Sequence, residues 1–74
     1  MVRNVKIGDI LIETSQDTIV FHVVEGFFAS LVRTTCYNGE TPYKCHSRRK
    51  YFRRPTQAEL VAAKLLGKLP NTVT

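Results

Sequence analysis

The chain has no tryptophan, only two cysteines, and no apolar run near the ~18–20 residues a membrane-spanning helix needs. Cys36 and Cys45 are too few for a disulfide-dense secreted scaffold, so free and mostly buried thiols are expected. The opening stretch MVRNVKIGDIL lacks the long apolar region and small-residue cleavage site of a signal peptide. A cytoplasmic protein without membrane contact is the expectation. Gly8, Gly26, Gly39 and Gly67 stand apart from one another, which excludes a glycine-rich phosphate loop. The six acids, Asp9, Glu13, Asp17, Glu25, Glu40 and Glu59, are spread singly, without the close pairing that separates a catalytic acid from a base.

Nucleophilic chemistry has little to draw on. A thiol–imidazole pair from Cys36 or Cys45 with His22 or His46 is the one arrangement available, and core thiols with a half-buried histidine account for the same residues more simply. The same four side chains make a zinc set in principle. Their spacing, C-x8-C-H, is not that of a zinc knuckle, and the adjacent Cys45 and His46 point to opposite faces of a strand. The expectation is therefore a non-enzymatic protein with no catalytic residue, no metal and no cofactor.

Charge is what the chain does have. A net charge of +5 on 74 residues predicts attraction to a polyanion or an acidic protein surface. Six of the eleven basic residues, Lys44, Arg48, Arg49, Lys50, Arg53 and Arg54, fall within positions 43–54. No acid occurs between Glu40 and Glu59. The positive charge is a patch in sequence, with the rings of Tyr51 and Phe52 set into it.

An apolar share of 43% supports one small folded domain over 1–70, with 71–74 a frayed tail. VKIGDILIETS reads as a first strand broken by a turn or bulge at Gly8-Asp9. TIVFHVVEG is rich in β-branched residues, with Ile19, Phe21 and Val23 on one face and Val20, His22 and Val24 on the other. Apolar residues on both faces suggest a central strand. Glu25-Gly26 would then turn the chain into a third strand, FFASLVRTTCY, and Asn38-Gly39 is a strong hairpin signal. A fourth strand over 43–53 would set Tyr43, Cys45 and Tyr51 toward the core and Lys44, Arg48, Lys50 and Arg54 toward solvent. Phe52 then sits awkwardly among the cations, and Arg49 and Arg53 sit awkwardly opposite. A bulge near 48–50 or an early strand end would resolve this.

Thr56-Gln57-Ala58-Glu59 is a capping box and opens a helix of about 57–66. Leu60, Val61 and Leu65, with Ala58 and Ala62, form its apolar stripe; Gly67 suits the left-handed position after its end, and Pro70 prevents resumption. The fold class that follows is mainly β with one C-terminal helix. A small SH3-like or OB-like antiparallel barrel is favoured, and a four-stranded antiparallel sheet with a packed helix is the alternative.

The candidate contact residues are Lys44, Arg48, Arg49, Lys50, Phe52, Arg53 and Arg54. They suit an acidic protein groove as well as a phosphate backbone with stacked bases. In the order V-x-I-G-D-I-L (Val5 to Leu11), F-x-V-V (Phe21 to Val24) and R-R-P-T-x-x-E-L (Arg53 to Leu60), the chain resembles small phage-encoded regulators that bind host RNA polymerase. That resemblance implies a protein that occupies a polymerase surface and causes inhibition or antitermination. A direct RNA- or DNA-binding module and an inhibitor of a host defence nuclease are the alternatives that use the same basic face.

Overall fold

The structure is a computed structural model and describes residues 2–37 and 41–69. Five strands, β1 (Ile10–Glu13), β2 (Phe21–Phe28), β3 (Leu31–Tyr37), β4 (Tyr43–Arg48) and β5 (Phe52–Arg53), precede one helix, α1 (Gln57–Leu65). They form a single antiparallel sheet in the order β4-β3-β2-β1-β5. The mainly β class with a C-terminal helix is as expected. Among the described residues β4 and β5 share no ladder, so the sheet is open and the closed barrel is not formed. A fifth strand also sets aside the four-stranded alternative.

Strand β2 is central, and its alternation explains why both faces need cover. Register places Leu11, His22 and Cys36 side by side on one face, next to Val24, Thr34 and Cys45; Ile12, Phe21 and Tyr37 lie on the other. The first face is closed by Val5, Leu11, Val24, Val32 and Phe52, with Val2 packed against them. The second packs Ile12 and Phe21 against Ala63 and Leu69, with Ile10, Tyr37 and Leu60 alongside.

Two turns differ from expectation. Glu25-Gly26 does not turn the chain; β2 runs through it with a bulge between Val24 and Gly26, and the hairpin to β3 closes at Ala29-Ser30. Ala29 has φ 52, a left-handed value that its Cβ opposes. The β3–β4 connection expected at Asn38-Gly39, and the tail 71–74, lie outside the described residues. At the far end of β4 the early strand end applies. The chain enters a 3₁₀ turn, Arg49–Tyr51, and then β5 on the opposite edge of the sheet. Three residues of such a turn span about 6 Å, so the two edges curl toward each other there. The Tyr51 carbonyl accepts from the Thr14 amide at 2.8 Å and ties the turn to the end of β1.

The helix begins as the capping box predicts. The Glu59 amide donates to Thr56 Oγ1 at 3.1 Å, and the Thr56 amide donates to the Glu59 carboxylate at 2.8 Å. It ends in a Schellman pair, Lys68 N–H to Ala63 O and Gly67 N–H to Lys64 O, with Gly67 at φ 69. Its buried face, however, is not the expected stripe. Ala63 is buried and Leu60 half-buried, whereas Val61, Leu65 and Leu66 are exposed, Leu65 at 82%. The small Ala63 side chain lets the helix lie close to Phe21 and Ile12, and the turn at Gly67 brings Leu69 back into the same layer.

Candidate partner-binding face

The basic segment divides into three fates. Phe52, expected among the contact residues, is 3% exposed. It packs in the cluster of Leu11, Val24 and Val32 and meets His22 edge-on, ring centroids 5.1 Å apart. The reason is the early end of β4: the 3₁₀ turn shifts the alternation, so Phe52 faces the core and Tyr51, expected inside, is exposed. Arg53 and Arg54 are structural clamps. Arg53 forms a two-pronged pair with Glu59 at 2.9 and 2.7 Å and so anchors the first turn of α1 to β5. The guanidinium and the Thr56 amide hold the Glu59 carboxyl down at about 2. Arg54 donates to Asp9 at 3.3 Å and to the carbonyls of Arg3 and Asn4 at 2.8 and 3.1 Å, which fastens the N-terminal segment. Lys44 donates to Glu25 and, at 3.0 Å, to Thr35 Oγ1. Its hydrogen bond pulls the Glu25 carboxyl below the ordinary carboxylate value.

Arg48, Arg49 and Lys50 remain, and none of the three forms an ion pair among the described residues. Register sets Arg48 opposite Leu31, so the 3₁₀ turn that follows lies beside the tip of the β2–β3 hairpin. That tip carries Phe27 and Phe28, which are 41% and 70% exposed. The Arg49 guanidinium sits 5.6 Å from the centre of the Phe27 ring, and Lys50 Nζ sits 5.1 Å from that of Tyr51. Phe27, Leu31 and the three cations line an open groove of about 420 Å³. A second hollow of about 280 Å³, between Phe28, Leu31, Arg33 and His46, lies across Leu31 from it. The sequence does not mark Phe27 and Phe28 as surface residues, because they continue an apolar β-rich run. The left-handed Ala29 is what places them at a hairpin tip.

This face offers exposed rings with positive charge held over them. It can receive an acidic and partly apolar surface, or phosphates with an unpaired base.

A second cluster is internal. His22 Nδ1 lies 2.8 Å from Thr34 Oγ1 and 3.4 Å from Cys45 Sγ, and Thr34 Oγ1 lies 3.2 Å from the same sulfur. Cys36, directly opposite His22 in the ladder, is fully buried beside them. His22 Nε2 is buried without a hydrogen-bond partner among the described residues, 3.4 Å from Glu13 Oε2. Burial pushes the His22 imidazole below its ordinary value, against the pull of Glu13, and burial pushes the Cys36 thiol up. The structure thus brings together three of the four side chains that spacing argued against. His46 is not among them; it lies on the opposite face, paired with Arg33 in register. Neither groove at the hairpin tip is lined by these residues.

No protein-family model matches the chain, and no curated protein or solved structure is significantly similar to it.

Proposed function

We propose that the chain is a non-enzymatic basic binding protein that docks on a host RNA polymerase and alters its activity, by inhibition or antitermination, as the resemblance to phage regulators implies. The observation that carries the docking surface is the groove in which Arg48, Arg49 and Lys50 stand beside the exposed Phe27 with no ion-pair partner among the described residues. An apolar floor with cations at its rim suits a protein surface that is acidic at its edge and apolar at its centre. In this reading the scaffold is a small SH3-like barrel with its ladder left open: the strand order and the short 3₁₀ link between its two edges support that description. The site of action is then the host cytoplasm. Binding of the purified chain to purified polymerase, with no nucleic acid present, tests the proposal. Association at moderate salt that is abolished by R49E and K50E together is the expected result. Wild-type binding that these substitutions leave intact refutes the docking face, and absence of binding refutes the partner.

Direct binding to RNA or DNA is the second reading, favoured by the exposed rings of Phe27 and Tyr51 under their cations. Three phosphate contacts give a log–log salt slope of about −2.1 to −2.7, a roughly 20- to 40-fold loss of affinity between 50 and 200 mM salt. Association with a single-stranded oligonucleotide that ignores salt counts against it.

A further inference from the structure

We infer that His22, Cys36 and Cys45 form a binding site for a thiophilic divalent cation, zinc first among them. The three ligand atoms, one imidazole nitrogen and two sulfurs, lie within 4.8 Å of one another. Zinc–sulfur bonds of about 2.3 Å and zinc–nitrogen bonds of about 2.0–2.1 Å require separations of about 3.5–4.0 Å. The Nδ1–Cys45 Sγ distance of 3.4 Å falls just short of that range, so side-chain rotations of a few tenths of an ångström at that pair and about an ångström at most elsewhere bring the set to it. The set comes from three neighbouring strands, so the sheet ladder fixes its spacing. His22 is paired with Cys36, Cys45 is paired with Thr34, and all point to one face.

The orientation of the imidazole is a second, independent observation. Glu13 Oε2, 3.4 Å from the buried Nε2, favours a proton on that nitrogen, since a bare lone pair facing a carboxylate is repelled. The proton on Nε2 leaves Nδ1 with a free lone pair on the side of Thr34 Oγ1 and Cys45 Sγ, 2.8 and 3.4 Å away. A carboxylate behind a histidine whose other nitrogen faces ligand sulfurs is the arrangement that orients metal-bound imidazoles.

Ligand chemistry selects the ion. Two sulfurs and an imidazole exclude calcium and magnesium, which take oxygen ligands. Each thiol gives up one proton on binding, and two thiolates neutralise a divalent cation, whereas a monovalent copper ion would leave a net negative charge in a buried site. The Thr34 hydroxyl, which now bridges Nδ1 and Cys45 Sγ, must yield when the ion enters. Cys45 is only half-buried, so a fourth, exchangeable ligand such as water reaches the ion from its side. The ion would join β2, β3 and β4 at the root of the hairpin that carries Phe27 and Phe28. This inference does not depend on what that tip binds.

The test is cobalt(II) titration of the metal-free, reduced protein, followed by displacement with zinc. One equivalent of cobalt should produce thiolate-to-metal charge-transfer absorption and the intense visible bands of a tetrahedral site, and zinc should abolish both. C45S, at the half-buried position, should fold as the wild type does yet lose at least 100-fold in zinc affinity. E13Q should lose about 10- to 100-fold, and H46A should lose nothing. Zinc should also raise the melting temperature of the wild type but not of C45S. Absence of the charge-transfer band in the folded wild type overturns the inference. So does equal zinc affinity of wild type and C45S, or a loss in H46A as large as that in C45S.

Discussion

Phe52 separates the reading of the basic segment as one surface from the structure's division of it. The ring is 3% exposed and packs with Val5, Leu11, Val24 and Val32, edge-on to His22 at an interplanar angle of 74°. Removing such a ring altogether costs about 3–5 kcal/mol. A 74-residue domain has about 4–11 kcal/mol of stability in all, so Phe52→Ala can unfold the chain and report little. Phe52→Leu is the sharper perturbation. It keeps most of the volume, loses an edge contact worth about 0.5–1.5 kcal/mol, and adds a repacking cost of under about 1.5 kcal/mol. The sum is about 1–2 kcal/mol. With a urea m-value of about 1 kcal/mol/M for so small a domain, the midpoint should fall by about 1–2 M. Phe28→Ser, at a position 70% exposed, should change stability by no more than about 0.5 kcal/mol. Urea denaturation of both variants, followed by circular dichroism, decides the matter. A midpoint for Phe52→Leu equal to that of the wild type, or a Phe28→Ser cost as large, would refute the assignment of one ring to the core and the other to the surface.

Ala29→Gly should stabilise the chain. Relief of the left-handed strain at φ 52 gives about 1–2 kcal/mol, and the added chain entropy of glycine removes about 0.5–1 kcal/mol. The net gain should appear as a higher melting temperature; a lower one contradicts the hairpin geometry. The Arg53–Glu59 pair sets an acid-side dependence. The folded carboxyl titrates at about 2, below its ordinary 4.5. The pair's contribution is therefore complete above about pH 4.5 and is lost as pH falls from there toward 2. Urea midpoints of wild type and Glu59→Gln should converge over that window, and a constant difference would rule the linkage out.

Local signals survived folding where their physics is local. The capping box at Thr56 and Glu59 and the left-handed Gly67 involve partners within a few residues, so sequence alone places both ends of α1. The two-faced pattern of Val20 to Val24 likewise announces a central strand, because burial on both sides is written into the alternation. The buried face of α1 was not legible. Val61 and Leu65 are more apolar than Ala63, yet the close approach to Phe21 and Ile12 selects the small residue. The hairpin turn was hidden for a related reason: Ala29-Ser30 carries only the weak turn signal of Ser30, whereas Gly26 is a strong one. The His22, Cys36 and Cys45 cluster was invisible to spacing because ladder register, not sequence interval, brings its members together.

The basic segment shows why a run of like charge is a poor map of a surface. Each cation's role depends on whether the fold returns an acid to it. Arg54 meets Asp9, which lies 45 residues earlier in the chain, because β5 pairs with β1 and sets the two segments side by side. Arg53 meets Glu59 because the capping box turns the chain back after three intervening residues of loop and cap. Lys44 meets Glu25 across β3, next to the bulge in β2. Three of the six cations are thus consumed in holding the scaffold. The other three cluster where β4 gives way to the 3₁₀ turn, and no carboxylate among the described residues is paired with them. Among the described residues no acid neutralises their positive field, and it is concentrated beside Phe27 in the same groove. Charge that folding leaves unmatched next to rings that folding leaves uncovered is a stronger argument for a binding face than the length of the basic run.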